Sequence, residues 1–300
     1  MARRYQSTDA VISAIMSDMI ADGGYSPKTI HHMGEHCRIV KRYLDDTNLY
    51  DISAEDVRNI HNLMVADGLA VSTQKSYMFA LFAMLRRINN PSYNTRIVYQ
   101  ADTRPRVDWL TPEQAHTVLE SPVISSIQRL AVVLALCMGL RRVELVRLSL
   151  KDINLEREYI TVTGKGRAGG KLRLVPFHER FKPALEDWLK DRAQIVARAR
   201  NAPPNNLLIW LDWDGTAREY NAIKASGIDG LIRRASRAVG VQFSAHTLRR
   251  TFGRILWLSG VPVVTIARIL GHSSTEQTLS YIGANLDDMA GAMNTIKGIL

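Results

Sequence analysis

Between residues 91 and 108 the chain loses its hydrophobic periodicity. The stretch PSYNTRIVYQADTRPRVD carries Pro91 and Pro105 and no apolar face at helix or strand spacing, so it reads as a linker. A break there divides the chain of 300 residues in two. Each part must then close a core of its own, and residues 1–90 and 109–300 are both long enough to do so.

The first part reads as four helices. Ser7 caps the first, whose apolar positions Val11, Ile12, Ile15, Met16, Met19 and Ile20 recur at helical spacing until Gly23 and Gly24. The second starts near Pro27, a good first-turn residue, and runs to Leu44. Ser53, with Asp56 three residues on, opens the third, which Gly68 ends. The fourth runs from Ser72 or Thr73 to Arg87. No strand pattern interrupts them, which predicts a helical bundle.

The second part mixes periods. Thr111, Pro112 and Gln114 form a capping box at a helix start. A buried helix is expected from Ile127 to Met138, before Gly139, and a short one beginning at Arg141–Arg142 with apolar Val143, Leu145, Val146 and Leu148. Residues 157–163 and 172–176 alternate as strands, joined by the glycine-rich hairpin tip GKGRAGG at 164–170. A long helix follows over about 181–199, then LLIWL at 207–211 as a short buried strand or turn, and a helix at about 228–239. The tail 285–300 is amphipathic, with Asn285 as a fair cap. The fold class expected is mainly α, of α+β type: a helical bundle followed by a mostly helical domain with a small antiparallel sheet.

Charge is distributed unevenly. The chain carries +10 overall, of which residues 1–105 hold +1 and residues 106–300 hold +9. A basic second part points to an anionic partner. Cys37 and Cys137 are too few for a disulfide framework and read as buried, reduced thiols of a cytoplasmic protein. The longest apolar run, residues 130–140, is too short to span a bilayer, and MARRYQSTDA lacks the apolar segment of a signal peptide.

The second part also gathers polar residues suited to phosphate chemistry. His246 and Arg249 stand three apart on one helix face, and with Leu248, Phe252, Ile255 and Leu256 opposite, the pair is expected to face outward. His272 follows a helix that Gly271 ends, and Tyr281 lies nine residues on. Each has an ordinary explanation when taken alone. Arg141 reads as a solvated cap with Glu144 as its structural partner, Lys165 as a surface lysine, His272 as a helix C-cap, and Tyr281 as core filler with a polar tip. A P-loop reading of the hairpin fails because Leu172, not Ser or Thr, follows Lys171. A metal site is disfavoured because no Asp, Glu or Cys stands at ligand spacing to the two histidines.

Taken in order, MGLRRVELVRLSLKDI, TVTGKGRAGGKLRLVPF, HTLRRTF and LGHSSTEQTLSYI resemble the tyrosine recombinase, or phage integrase, family, in the manner of its simple two-domain, Xer-like members. That family's pattern is a GLR-x-x-E-L box, a GKG hairpin followed by R-x-x-P, an H-x-L-R box, an L-G-H box and a tyrosine nine residues later. All are present here. Arg250 stands where a second histidine is common, and Gly169 and Gly170 are extra. The resemblance covers the second domain, and SPKTIHHM and STQKSYMFALFAMLRR look like the family's core-binding domain.

The resemblance implies a site-specific recombinase that cuts and rejoins double-stranded DNA at a specific target site through a 3′-phosphotyrosine. Tyr281 is then the nucleophile, Arg141, His246, Arg249 and His272 bind the phosphate, Lys165 is the general acid, and Glu144 supports the site. It implies no cofactor and no metal. The protein would sit in the cytoplasm on DNA, away from membranes, and assemble as a tetramer on two DNA sites, with helix 285–300 packing in cis or on a neighbour. Two other readings stand beside it: a catalytically idle DNA-binding accessory factor, and a type IB topoisomerase-like relaxing enzyme.

Overall fold

The computed structural model describes residues 6–45, 47–100, 109–164, 172–219 and 227–283. The chain separates into two units, Met1–Pro105 and Arg106–Leu300. It is mainly helical with a small antiparallel sheet, the class the sequence indicates. No helix among the described residues is long and apolar enough to cross a membrane.

The first unit holds helices α1 (Thr8–Ala21), α2 (Pro27–Lys41), α3 (Ala54–Ala66) and α4 (Val71–Arg87). Serine side chains start the first three: Ser7, Ser26 and Ser53 each accept from a backbone N–H in the first turn, and Asp56 reciprocates to the Ser53 N–H. Each satisfies donors that have no intrahelical partner. Helix α4 packs on α1, α2 and α3, and Met78, Leu81, Met84 and Leu85 are fully buried along its inner face. Each such side chain contributes about 1.5–3 kcal/mol of burial.

Residues 91–99, expected to start the linker, pack on the first unit. Pro91–Asn94 form a 3₁₀ turn, and Tyr93, Ile97 and Tyr99 pack on the bundle core. The tie is polar. Asn90 Nδ2 donates to the Leu49 and Ile52 carbonyls (2.8 and 3.0 Å), and Ser92 Oγ donates to Ile52 O (2.9 Å). Proline breaks helical period here without releasing the chain from the core. Residues 101–108 lie outside the described residues.

In the second unit α5 (Pro112–Glu120) starts with the expected Thr111–Gln114 capping box. Helix α6 (Ser126–Leu136) is the central element: residues 130–136 are all buried, and α5, α8, α9 and α10 pack around it. It ends before the expected Met138, because Cys137 caps it and the chain reverses at Gly139, whose φ is +66°. Any Cβ there would also lie 2.5 Å from the Phe252 ring. Helix α7 (Arg142–Arg147) follows, then β1 (Ile153–Asn154), β2 (Tyr159–Thr163) and β3 (Leu172–Pro176). These form an antiparallel sheet of order β1-β2-β3, in which Ile160 faces Val175 and Thr163 faces Leu172.

Helix α8 (Phe181–Arg198) buries Trp188. Strands β4 (Ile209–Leu211) and β5 (Ala217–Glu219) form a second ribbon. Residues 207–211 thus contain a strand, and β5 is a partner that its three-residue length hid. Helices α9 (Gly227–Val239), α10 (Ala245–Leu258), α11 (Val263–Leu270) and α12 (Thr275–Ile282) complete the description. Gly271 and Gly283 close α11 and α12 in the left-handed region, at φ +63° and +66°.

Candidate active site

Glu144 anchors the site from the first turn of α7. Its carboxylate caps that helix, accepting from the Arg141 backbone N–H (2.7 Å) and from Arg141 Nη1 (2.9 Å). Arg173, on β3, meets it with two parallel bonds, Nη1 to Oε1 and Nη2 to Oε2, both 2.8 Å. Arg249 Nη1 stands 3.7 Å from Oε2. The Glu144 side chain is wholly inaccessible to solvent. Burial alone would raise its carboxyl, but the Arg173 bonds and charge, the Arg141 N–H and the Arg249 charge outweigh that and hold it at about 2. One carboxylate among three guanidiniums leaves a net charge of +2.

His246 is exposed as expected, but Arg249 is only 2% exposed, so the outward-facing pair expected on α10 forms only in part. Helix α10 packs on α6 and on both α11 and α12, which covers the face that the apolar pattern left open. The guanidinium donates to the Gly139 and Leu270 carbonyls, one just after α6 and one at the end of α11. Burial and the neighbouring Arg141 lower its pKa to about 10, against the opposing pull of Tyr281 and Glu144, so it remains a cation at neutral pH. Arg141 reaches the same region, donating from Nη2 to Gly271 O (2.8 Å).

The tautomer of His272 follows from its partners. Arg249 Nη2 lies 3.2 Å from His272 Nε2, and a guanidinium only donates, so Nε2 is the acceptor. In the neutral ring Nδ1 then carries the proton and donates to Thr278 Oγ1 (2.9 Å). Burial, followed by the Arg249 and Arg141 charges, depresses His272 to about 4. His246 is also lowered, by burial and then by Arg250 and Arg249.

Tyr281, near the end of α12, meets both imidazoles. Its ring lies edge-on to His246 (centroids 5.1 Å apart, planes at 81°) and to His272 (5.0 Å, 80°). The Arg249 and Arg250 guanidinium carbons stand 5.9 and 5.3 Å from the ring centre. The phenol oxygen is buried, with no hydrogen-bond partner among the described residues. Burial raises its pKa, while Arg249, Arg250 and Arg141 pull the other way. Arg141, His246, Arg249, His272 and Tyr281 line one cavity of about 500 Å³. Five of the expected site residues are therefore brought together around it, and Glu144 is buried behind. Lys165 and helix 285–300 lie outside the described residues.

Two further residues complete the arrangement. Arg173 fills the R-x-x-P slot of the sequence pattern, and that slot was its only signal, since in a strand of alternating exposure it looks like any surface arginine. Thr278, fully buried, carried none. A wall of fixed cations with a phenol at its edge can bind an anion and hold a nucleophile against it.

The phage integrase family model matches residues 108–287. The chain belongs to the phage integrase family. Among curated relatives, tyrosine recombinase XerS of Streptococcus gordonii is 30% identical over 165 residues, 55% of this chain and 44% of XerS. Tyrosine recombinase XerA of Thermococcus kodakarensis is 28% identical over 189 residues, covering 63% and 62% of the two chains. The chain spans about half the length of the curated relatives it matches. Of solved structures, the Tn1549 transposon integrase bound to transposon right end DNA has a TM-score of 0.72 at 20% identity, over 96% of this chain and 99% of that one. A lambda integrase dimer on a COC′ core site has a TM-score of 0.67 at 18% identity, over 91% and 94%. These integrases share the fold of this member of the family.

Proposed function

We propose that the protein is a site-specific DNA recombinase that cuts and rejoins strands by transesterification. The observation that carries this reading is the Tyr281 phenol, buried between His246 and His272 at the edge of a cavity walled by Arg141 and Arg249. The Tyr281 oxygen attacks the phosphorus of a DNA phosphodiester. A P–O bond to Tyr281 forms as the bond to the 5′ oxygen breaks, giving a 3′-phosphotyrosine and a free 5′-hydroxyl. A 5′-hydroxyl of the partner strand then reverses the step. One phosphodiester replaces another, so no energy source is consumed.

The residue chemistry suits these roles. Arg141 and Arg249 offset charge that grows on the phosphoryl oxygens. His246, whose pKa is lowered, is neutral at pH 7 and so can accept the phenol proton, which burial otherwise holds in place. Lys165 is assigned the protonation of the leaving 5′ oxygen. Glu144 holds the arginines. The basic second part contacts double-stranded DNA at a specific target site, and residues 1–90 help to hold it. The catalytic part spans 109–300. The working form is a tetramer on two sites, and the protein acts on DNA in the cytoplasm.

The test is a nicked duplex carrying a selected binding site. Wild type forms a covalent protein–DNA adduct on a denaturing gel, and does so in EDTA; Tyr281→Phe forms none. An adduct of equal yield in the variant removes Tyr281 from this role, and a strict need for a divalent metal overturns the assignment of charge compensation to arginine. Binding without an adduct favours the idle accessory factor. Relaxation of supercoils by a monomer favours the topoisomerase-like reading.

A further inference from the structure

Arg173 is the one guanidinium of the Glu144 cluster that does not line the cavity. Each of its three nitrogens donates: Nη1 and Nη2 to the Glu144 carboxylate, and Nε to Ile269 O (2.8 Å). Its side chain is 12% exposed. A carboxylate offers about four lone-pair sites. Glu144 receives four hydrogen bonds, two from Arg173 and two from Arg141. Arg249, 3.7 Å from Oε2, is thus left at ion-pair distance without a hydrogen bond to the carboxylate.

We propose that Arg173 is a positioning residue that occupies Glu144 and so keeps Arg249 available to a phosphate. The inference rests on the reading of the cavity as a phosphodiester site. The reasoning is competitive. A buried carboxylate that loses two charged donors is left strongly undersatisfied. The nearest cation able to replace them is Arg249. If Arg249 closes on Glu144, its charge is neutralised by the protein and the phosphate must compete with a fixed anion. Arg173 also fixes the approach to His272, through Ile269 O at the end of α11. The chain passes so close at Gly271 that an added Cβ would lie 3.2 Å from Arg173 Nη1 and 3.4 Å from Arg141 Nη1. Arg173 therefore sets the spacing between the buried anion and the cations that face the cavity.

The test measures single-turnover adduct formation on the nicked duplex for wild type, Arg173→Met, and Arg173→Met combined with Glu144→Gln. The methionine keeps the apolar stem and removes every donor. The single variant is expected to slow adduct formation about 100-fold, the scale of losing one transition-state donor. The double variant is expected to recover at least about tenfold of that, because a neutral amide in place of the Glu144 carboxylate no longer captures Arg249. A merely structural role predicts the reverse, since two lost buried partners should be worse than one. A double variant no faster than Arg173→Met overturns the proposal, and so does an unchanged rate in the single variant. Should Arg173→Met fail to fold, Arg173→Lys replaces it. One ammonium covers one carboxylate oxygen, so a smaller slowing with the same rescue is expected.

A second readout needs no chemistry. In the DNA-free protein, the NMR titration midpoint of His272 should move up by about 1 unit in Arg173→Met, as one cation is removed and Arg249 leaves Nε2. An unmoved midpoint overturns the proposal even where wild type forms no adduct, whereas absence of an adduct in wild type overturns only the function assigned to the cavity.

Discussion

Asn90 in the first unit and Glu144 in the second are both buried side chains that tie distant segments together, yet they are satisfied in opposite ways. Asn90 is neutral. It donates to the Leu49 and Ile52 carbonyls and accepts from the Ser92 N–H, so its partners are backbone groups and no charge is left over. Glu144 is an anion, its partners are mainly arginine side chains, and two positive charges remain after the pairing. The first arrangement leaves nothing unpaired. The second ends in a surplus that the fold holds beside a cavity. Burying charge is unfavourable unless it is paired, so a surplus of buried cations points to an anionic partner that the neutral hub does not need.

That contrast can be broken most severely at Arg249. Arg249→Ala is expected to lower the rate of adduct formation about 10³-fold, since it removes a fixed cation from the wall proposed to bind the phosphate. The measurement is single-turnover cleavage, and a loss of less than about fivefold would mean that the surplus charge has no part in the reaction.

The next effect concerns stability. Glu144 is held at about 2 when folded, against an ordinary value of 4.5. Its folded pKa is depressed, so its contribution is present above pH 4.5 and is lost as pH falls towards 2. The amount is about 3 kcal/mol. Urea denaturation of wild type and Glu144→Gln across pH should give curves that converge between 4.5 and 2. Curves that stay parallel would show that the carboxylate is not held by its charge.

The smallest effect belongs to the neutral hub. Asn90→Ala should cost about 2 kcal/mol by leaving carbonyls unpaired, with no change in the pH dependence of unfolding. A pH-dependent loss there would erase the distinction between the two hubs.

The same contrast explains what could be read in the sequence. Local signals transferred well. Ser53 with Asp56 and Thr111 with Gln114 are three residues apart, and both formed the expected caps. The ordered boxes around Arg141, His246, Arg249, His272 and Tyr281 indicated which side chains to look for, and these five line one cavity. What stayed hidden depends on packing between elements distant in sequence. The burial of Arg249 follows from α10 being covered by α6, α11 and α12. The role of Arg173 follows from a carboxylate 29 residues away. The apparent linker at 91–99 stays on the bundle because Asn90 reaches back about 40 residues.

The bonds that assemble the cation wall have a consequence for how the chain matures. Arg173 reaches a carbonyl 96 residues away, Arg249 one 110 away and Arg141 one 130 away. Contacts this distant in sequence form late, because the intervening loops must close first. During synthesis Arg141 and Arg173 emerge long before α11 supplies the carbonyls that aim them. A ribosome-bound fragment ending before α11 therefore holds the basic residues without the geometry that concentrates them, and the cation wall is complete only once α11 has been made.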